Sequence, residues 1–163
     1  MAAQLPDVIV VNGERKDLYS NPLEQYWSRL GKTRPQFCPL PNCRRGYIAF
    51  WELKDQALYL RGIEGNYERR TFFGLGRKKP KRFTWSSLFP DERSGWVKAT
   101  WFLGPLRIPH GNMTEYVDQD YESRFEKEMI VTVDKGAVVK VVTIDCQRHA
   151  LIVNQVIEHV ATA

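Results

Sequence analysis

The chain has 163 residues, of which 43% are hydrophobic and 26% are charged, and its formal net charge is +5 at pH 7. These proportions exclude a disordered chain, and the length predicts a single domain covering residues 1–163. The apolar runs are far shorter than the roughly 20 residues that cross a bilayer, and the first residues lack the basic and apolar parts of a secretory signal. We therefore expect a cytoplasmic protein with no membrane partner.

The first predicted elements are a hairpin and a helix. Residues 7–11 are rich in β-branched side chains and are followed by Asn-Gly, which suits a two-residue turn, so they are predicted to pair with residues 14–19. A helix follows, because Asn21 can cap it, Pro22 suits its first position and Gly31 can end it. One face of this helix is apolar and consists of Leu23, Tyr26, Trp27 and Leu30.

The middle of the chain predicts a loop, a hairpin and an irregular segment. Residues 33–42 carry three prolines and form a loop, whereas residues 46–53 and 57–63 form a hairpin around a polar turn. Residues 65–83 hold four glycines or prolines together with many cations, so we expect an irregular basic excursion there. Residues 85–89 suit one turn of helix.

The second half of the chain predicts further strands and a terminal helix. Residues 96–103 are aromatic and β-branched, residues 106–116 bend at a proline and a glycine, and residues 126–133 pair with residues 137–144. Residues 148–160 follow a helical period. The predicted fold class is therefore α+β, with an antiparallel sheet of about six to eight strands built from hairpins, one helix in the N-terminal half and one at the C-terminus.

Short motifs stand out between residues 45 and 126. They are Arg45-Gly46-Tyr47, Trp51-Glu52-Leu53, Leu58-Tyr59-Leu60, Leu88-Phe89-Pro90, Leu106-Arg107-Ile108-Pro109-His110-Gly111, Tyr116-Val117 and Tyr121-Glu122-Ser123-Arg124-Phe125-Glu126. Together they resemble a family of small stand-alone bacterial proteins of uncharacterised function. The resemblance implies a single domain of bacterial or phage origin and carries no known activity. Asp120 stands where the family pattern has glycine, and residues 69–82 and those beyond Asp145 look like additions.

The strongest chemical signal is a local concentration of cations. Seven basic residues and one acid lie between Glu68 and Arg82, so this window has a charge of +6 and the remaining residues sum to −1. A localised positive patch attracts either an acidic protein surface or nucleic acid. The predicted partner-binding residues are Arg69, Arg70, Phe72, Phe73, Arg77, Lys78, Lys79, Lys81 and Arg82.

The aromatic residues around these cations allow more than one interpretation. Tyr67, Phe72, Phe73, Phe83 and Trp85 can stack on unpaired bases if their rings are exposed. They can equally turn inward to the core and leave a solvated loop without a ligand. Between the two ligand classes we favour an acidic protein surface, with nucleic acid as the alternative.

Neighbouring aromatic residues in the predicted strand 96–103 raise a related question. Trp101 and Phe102 point to opposite faces of such a strand, so one of them is exposed unless a helix covers it. An exposed aromatic side chain beside the basic residues would be a candidate anchor for an interface.

Cysteine and histidine spacing leaves a zinc site open as an alternative. Cys38 with Cys43, and Cys146 with His149, have ligand-like separations, but the two pairs are about a hundred residues apart. Free cysteines also pack as small hydrophobic side chains, which we favour, so no metal or other cofactor is predicted. The odd number of cysteines favours a reducing compartment.

A catalytic alternative lies between residues 107 and 126. His110 precedes Asp118, Asp120 and Glu126, and a carboxylate near a histidine can perform acid–base chemistry. Polar residues are also the default in loops, and Arg107 with Glu126 can form a plain surface ion pair. Because there is no nucleophile elbow, phosphate-binding glycine loop or His-Glu-x-x-His motif, no catalytic residues are predicted.

These observations favour a small non-enzymatic binding protein that acts by occupying a macromolecular partner, as immunity proteins, antitoxins and anti-defence proteins do. The basic charge of residues 69–82 makes an acidic protein surface the favoured partner. The alternatives are a nucleic-acid-binding module that uses the same residues, and an enzyme with an acid and histidine site near residues 107–126. The oligomeric state is not predicted.

Overall fold

The computed structural model describes residues 3–68, 79–148 and 150–156, the last of these by their backbone alone. It is an α+β structure dominated by its sheet. The elements in chain order are β1 (Asp7–Val11), β2 (Glu14–Leu18), α1 (Pro22–Arg29), β3 (Tyr47–Lys54), β4 (Ala57–Tyr67), β5 (Lys81–Phe83), α2 (Trp85–Leu88), β6 (Val97–Lys98), β7 (Leu103–Glu115), β8 (Arg124–Asp134), β9 (Ala137–Asp145) and β10 (Ala150–Val156).

The strands form one ten-stranded sheet in the order β2-β1-β3-β4-β9-β8-β7, with β5 and β6 paired to β4 and β10 paired to β9. The pairs are antiparallel except that β1 and β3 run parallel, with Ile9 opposite Trp51. Just beyond β2, the Tyr19 amide donates to the Arg107 carbonyl of β7 at 2.8 Å. The two ends of the strand order therefore meet, and the sheet curves into a barrel-like layer.

The inner face of this curved sheet holds the core. Its fully buried side chains alternate with more exposed ones along the strands, as the period of two requires; they include Ile9, Leu18, Trp51, Leu58, Leu60, Leu106, Ile108, Val131 and Val133. Helix α1 packs against this core with the buried Leu23, Tyr26 and Trp27. The Trp101 indole donates to the Pro22 carbonyl at 3.2 Å, which ties the start of α1 to the sheet.

The three predicted hairpins are confirmed, and so are the predicted helix after residue 21 and the predicted helical turn at residues 85–89. The two-residue turns of the first and last hairpins have positive φ at both positions, at Asn12 and Gly13 and at Lys135 and Gly136, as tight hairpins require. The predicted first helix is α1, and the predicted single turn is α2. Asn21 occupies the cap position of α1, but its side chain accepts a hydrogen bond from the Tyr121 hydroxyl at 3.0 Å.

The predicted sheet of six to eight antiparallel strands is wrong on two points. Over the described residues the sheet has ten strands, and it includes the parallel pair β1 and β3. That pairing joins residues about 40 positions apart in the chain, across α1 and the proline-rich loop. Local turn signals cannot predict such a connection, because they report only on neighbouring segments.

The predicted C-terminal helix is wrong over its described part. Residues 150–156 form β10, which is antiparallel to β9. The apolar spacing of Leu151, Val153 and Val156 fits a helical period, but β-branched side chains prefer a strand, and β9 offers an edge on which a strand can pair. His149 and residues 157–163 lie outside the described residues.

The predicted strand 96–103 is only partly formed. Val97–Lys98 pairs with β4, and the chain then turns, because the Phe102 amide donates to the Ala99 carbonyl at 2.9 Å. The turn removes the strand alternation, so Trp101 and Phe102 are both buried, at 6% and 4% exposure. Neither of the two side chains reaches the surface, because the chain turns at this point and α1 packs over Trp101.

Candidate functional site

The predicted basic excursion is shorter than residues 65–83. Residues 65–67 belong to β4 and pair with residues 81–83 of β5, with Arg82 opposite Asn66. Most of the predicted partner-binding side chains lie outside the described residues; these are Arg69, Arg70, Phe72, Phe73, Arg77 and Lys78. The described cations of this set, Lys79, Lys81 and Arg82, are all exposed.

The described aromatic neighbours of these cations turn inward. Phe83 is buried, and its ring lies 4.9 Å from Phe37 and 5.7 Å from Tyr67. Trp85 packs against Phe89, with the ring centroids 5.3 Å apart. Phe83 therefore anchors β5 to the core and holds the exposed Lys81 and Arg82 on a paired strand. The buried Phe83 presents no stacking platform, and Tyr67 and Trp85 are half-buried against the core.

A cation and aromatic cluster that the sequence did not suggest lies on the same strand, β4. The Arg61 guanidinium is 3.5 Å from the centroid of the Trp96 ring, and the Lys54 ammonium is 4.7 Å from it. Arg61 also donates to the Gly95 carbonyl and pairs with Glu52 at 3.5 Å. Trp96 is half-buried, so this cluster is a pre-formed aromatic and arginine surface.

The residues of the predicted catalytic alternative contact different partners. The Lys16 ammonium is 3.3 Å from His110 Nδ1, and the Ala3 amide donates to Asp118. Asp120 pairs with Arg44, and Glu126 accepts from the amide and side chain of Asn112. The geometry therefore spreads these four groups over separate local structures.

Arg107 does not pair with Glu126 as the sequence suggested. It forms an ion pair with Glu128 of the neighbouring strand β8, which lies opposite Pro109, and it also donates to the carbonyls of Tyr121 and Ser123. These bonds hold residues 121–123, the segment before β8, against β7. The hydrogen bonds that Arg107 donates to Glu128 raise the pKa of its guanidinium, so its charge is permanent.

The predicted zinc alternative receives no geometric support from the described residues, where no group of three or more histidine, cysteine or acidic side chains could hold a metal ion. The Cys43 thiol is buried and donates to the Tyr47 carbonyl at 3.3 Å. Cys38 and Cys146 are half-buried. His149 lies outside the described residues.

A buried carboxyl group with three hydrogen-bond donors around it lies at the start of the sheet. Asp7 is fully buried and accepts hydrogen bonds from Arg45 at 2.8 Å, the Ala49 amide at 3.0 Å and the Trp51 indole at 3.1 Å. Arg45 also donates to the Tyr121 hydroxyl at 2.8 Å. Burial raises the pKa of Asp7 to about 6 and that of Tyr121 to about 12. With no exposed surface, Asp7 has a role in the fold.

A cavity of about 300 Å³, which we call the mouth cavity, opens between the β1–β2 turn and the inner face of β7, β8 and β9. It is lined by Val11, Asn12, Glu14, Lys16, Ile108, His110, Met129 and Thr143. A second cavity of about 370 Å³ adjoins it and shares part of its lining. Apolar pockets with a few polar groups at the mouth of a barrel are common ligand sites.

No family model, curated protein or solved structure matches the chain. In the described part of the chain, no helix has the length and apolar character that crossing a membrane requires.

Proposed function

We propose that the chain is a non-enzymatic binding protein that occupies an acidic surface of a protein partner through the basic segment, residues 69–82. The observation that carries this proposal is the exposure of Lys79, Lys81 and Arg82 on and beside a paired strand. Phe83 is buried and β5 is hydrogen-bonded to β4, so two of the three cations start from a fixed backbone. A pre-positioned charge loses less conformational entropy on binding than one on a free loop.

The inward direction of Tyr67, Phe83 and Trp85 favours a protein partner over nucleic acid. Binding of unpaired bases relies on exposed aromatic faces beside the cations, and these three rings pack against the core. An acidic protein surface needs only the charges. Charge complementarity of this kind mainly accelerates association and selects the partner.

The cluster of Arg61 and Trp96 supports the same proposal as a second contact. Arg61 precedes Asn66, the partner of Arg82, by five positions in β4, which at the spacing of an extended strand places the two arginines roughly 17 Å apart. Protein interfaces of standard size are wide enough to include both. Tryptophan and arginine are also the side chains most enriched among residues that dominate binding energy.

Two fluorescent probes, an oligoglutamate peptide and a single-stranded oligonucleotide, test the proposal by anisotropy at low and physiological salt. The test variant carries Lys79→Ala, Lys81→Ala and Arg82→Ala. A matched control carries Lys127→Ala, Lys140→Ala and Arg148→Ala, which remove the same charge at exposed positions elsewhere. Exposed charge pairs contribute about 0.5 kcal/mol each, so the test variant should bind oligoglutamate roughly tenfold more weakly and the control should not.

Equal loss of oligoglutamate binding in both variants would show that net charge alone is responsible and would overturn the proposal. Tighter binding of the oligonucleotide, with a steep loss of affinity between the two salt concentrations, would replace it with the nucleic-acid alternative. Failure of both probes to bind the unmodified protein at low salt would also overturn it.

A further inference from the structure

We infer that the mouth cavity is a binding site for a small amphipathic carboxylate, an aliphatic or aromatic acid in its ionised form. This site is separate from the basic segment, and it does not depend on the function proposed above. The inference rests on three features of the cavity, which are an apolar floor, a sheltered cation at its rim and a volume suited to a small molecule.

The floor is made by side chains that the sheet places in one row. Ile108 is paired with Met129, and Met129 is paired with Thr143, so their side chains share the inner face of three adjacent strands. Val11 closes the floor from β1. The adjoining cavity extends this apolar surface past Leu53, Val138 and Val141, which gives room for an alkyl chain or an aromatic ring.

The rim supplies hydrogen-bond donors. The Lys16 ammonium lies 3.3 Å from His110 Nδ1, and because an ammonium can only donate, Nδ1 accepts. In this arrangement the ring hydrogen is on Nε2, so both residues offer donors. His110 lies two positions after Ile108 on the same strand, so its ring stands above the apolar floor.

The carboxylate that pairs with Lys16 is mostly exposed to solvent. Glu14 approaches the Lys16 ammonium at 3.3 Å, but the glutamate side chain is 75% exposed, whereas the lysine side chain is only 19% exposed. Ion pairs with one exposed partner contribute little stability. A ligand carboxylate can therefore take the place of Glu14 on a lysine that the fold has already positioned.

The same charges select the class of ligand. An amine would meet the sheltered Lys16 ammonium with a charge of the same sign, whereas the Glu14 carboxylate that could attract it is 75% exposed and contributes little. An alcohol would gain no ionic attraction, and a doubly charged phosphate would place two charges against one ammonium. At about 300 Å³, the mouth cavity is at the lower end of the range for small-molecule pockets, which fits a single apolar chain or ring.

Isothermal titration calorimetry with three probes of equal chain length, octanoate, octan-1-ol and octylamine, tests the site on the full chain. Octanoate should bind most tightly, octan-1-ol roughly tenfold more weakly because it lacks the charge-assisted hydrogen bond, and octylamine not at all. Lys16→Met should reduce octanoate binding to the level of octan-1-ol. Lys140→Met, at an exposed lysine elsewhere, is the matched control and should leave all affinities unchanged.

Two further variants keep the test decisive if Lys16→Met proves unstable. Glu14→Gln removes the competing carboxylate and should tighten octanoate binding several-fold, a gain that damage to the fold cannot produce. Thr143→Phe should fill the floor and abolish binding of both octanoate and octan-1-ol. Octylamine binding as tight as that of octanoate, unchanged affinity in Glu14→Gln, or no octanoate binding below its micelle concentration would each overturn the inference.

Discussion

The substitution Asp7→Asn tests how the buried ion pair sets the pH dependence of stability. Asn retains one oxygen, which can accept from Arg45 and the Ala49 amide as Asp7 Oδ1 does. Its amide nitrogen then faces the Trp51 indole, which donates to Asp7 Oδ2 at 3.1 Å in the native protein. Two donors would face each other, and the unsatisfied indole costs about 1–3 kcal/mol.

Above pH 6 the ionisation of Asp7 acts in the opposite direction, because it lowers the stability of the native protein and not that of the variant. Loss of hydration raises the pKa of Asp7 from 3.8 to about 6, because it outweighs the attraction of Arg45 and the hydrogen bonds. Between these pH values the native protein holds a proton that the unfolded chain has released, so stability falls as the pH rises. At about 1.4 kcal/mol per tenfold change, the stability present below pH 4 and lost above pH 6 is about 3 kcal/mol.

Asp7→Asn removes this ionisation, so its stability relative to the native protein must change with pH. At pH 4 the variant should be less stable by about 1–3 kcal/mol, the cost of the unsatisfied indole. At pH 7 the native protein has lost about 3 kcal/mol through Asp7, so the variant should equal or exceed it. For a chain of this size, a swing of about 3 kcal/mol corresponds to roughly 6–12 °C in the difference between the two melting temperatures.

Urea and thermal unfolding of both proteins between pH 4 and pH 7 measure this difference directly. The other acids titrate in both proteins and cancel in the comparison, and Asp17→Asn, at an exposed position of β2, corrects for the substitution itself. The reasoning is refuted if Asp7→Asn is 3 kcal/mol or more less stable at pH 7, because the Arg45 attraction would then exceed the loss of hydration.

Two further stability predictions concern packing and backbone conformation. Trp101→Ala should cost about 3–5 kcal/mol in urea unfolding, since it empties a buried site and removes the bond to the Pro22 carbonyl, and a loss below 1 kcal/mol would contradict this packing. Gly46→Ala should be severely destabilising, because its Cβ would lie 2.6 Å from the Cys38 carbonyl oxygen at φ +77°. Gly13→Ala is the control, with φ +80° but nothing within 4 Å, and should cost only about 1 kcal/mol; equal losses at the two glycines would refute the steric argument.

The parts of the fold that the sequence predicts are those that depend on interactions between neighbouring residues. The Asn12-Gly13 turn, the start of α1 at Pro22 and the turn before Ala137 each act over a few residues, and each forms as predicted. The parallel pairing of β1 with β3 depends on residues far apart in the chain, and β10 depends on the edge that β9 presents. In both cases a strand pairs with one of several available strands, and neither the hydrophobic period nor a turn residue determines which one.

The basic segment and the mouth cavity also differ in whether their residues are neighbours in the chain. The cations of residues 69–82 are adjacent in the chain, so composition alone identifies them as a candidate site. Lys16 and His110 are 94 residues apart and meet only because the strand order brings β2 beside β7. The residues alone therefore give Lys16 no role, and they suggest for His110 only acidic neighbours that bond elsewhere.

One signal could have pointed to the mouth cavity. Glu14, Lys16 and Leu18 occupy alternate positions of β2, and Leu18 is fully buried, so the alternation places a lysine on the inward side of a strand. A sequence optimised only for folding would place an apolar residue there, next to Val11 and Ile108. Departures from the local pattern concentrate at functional positions, so the inward lysine, rather than the more conspicuous run of surface cations, is the residue whose placement most needs a ligand to explain it.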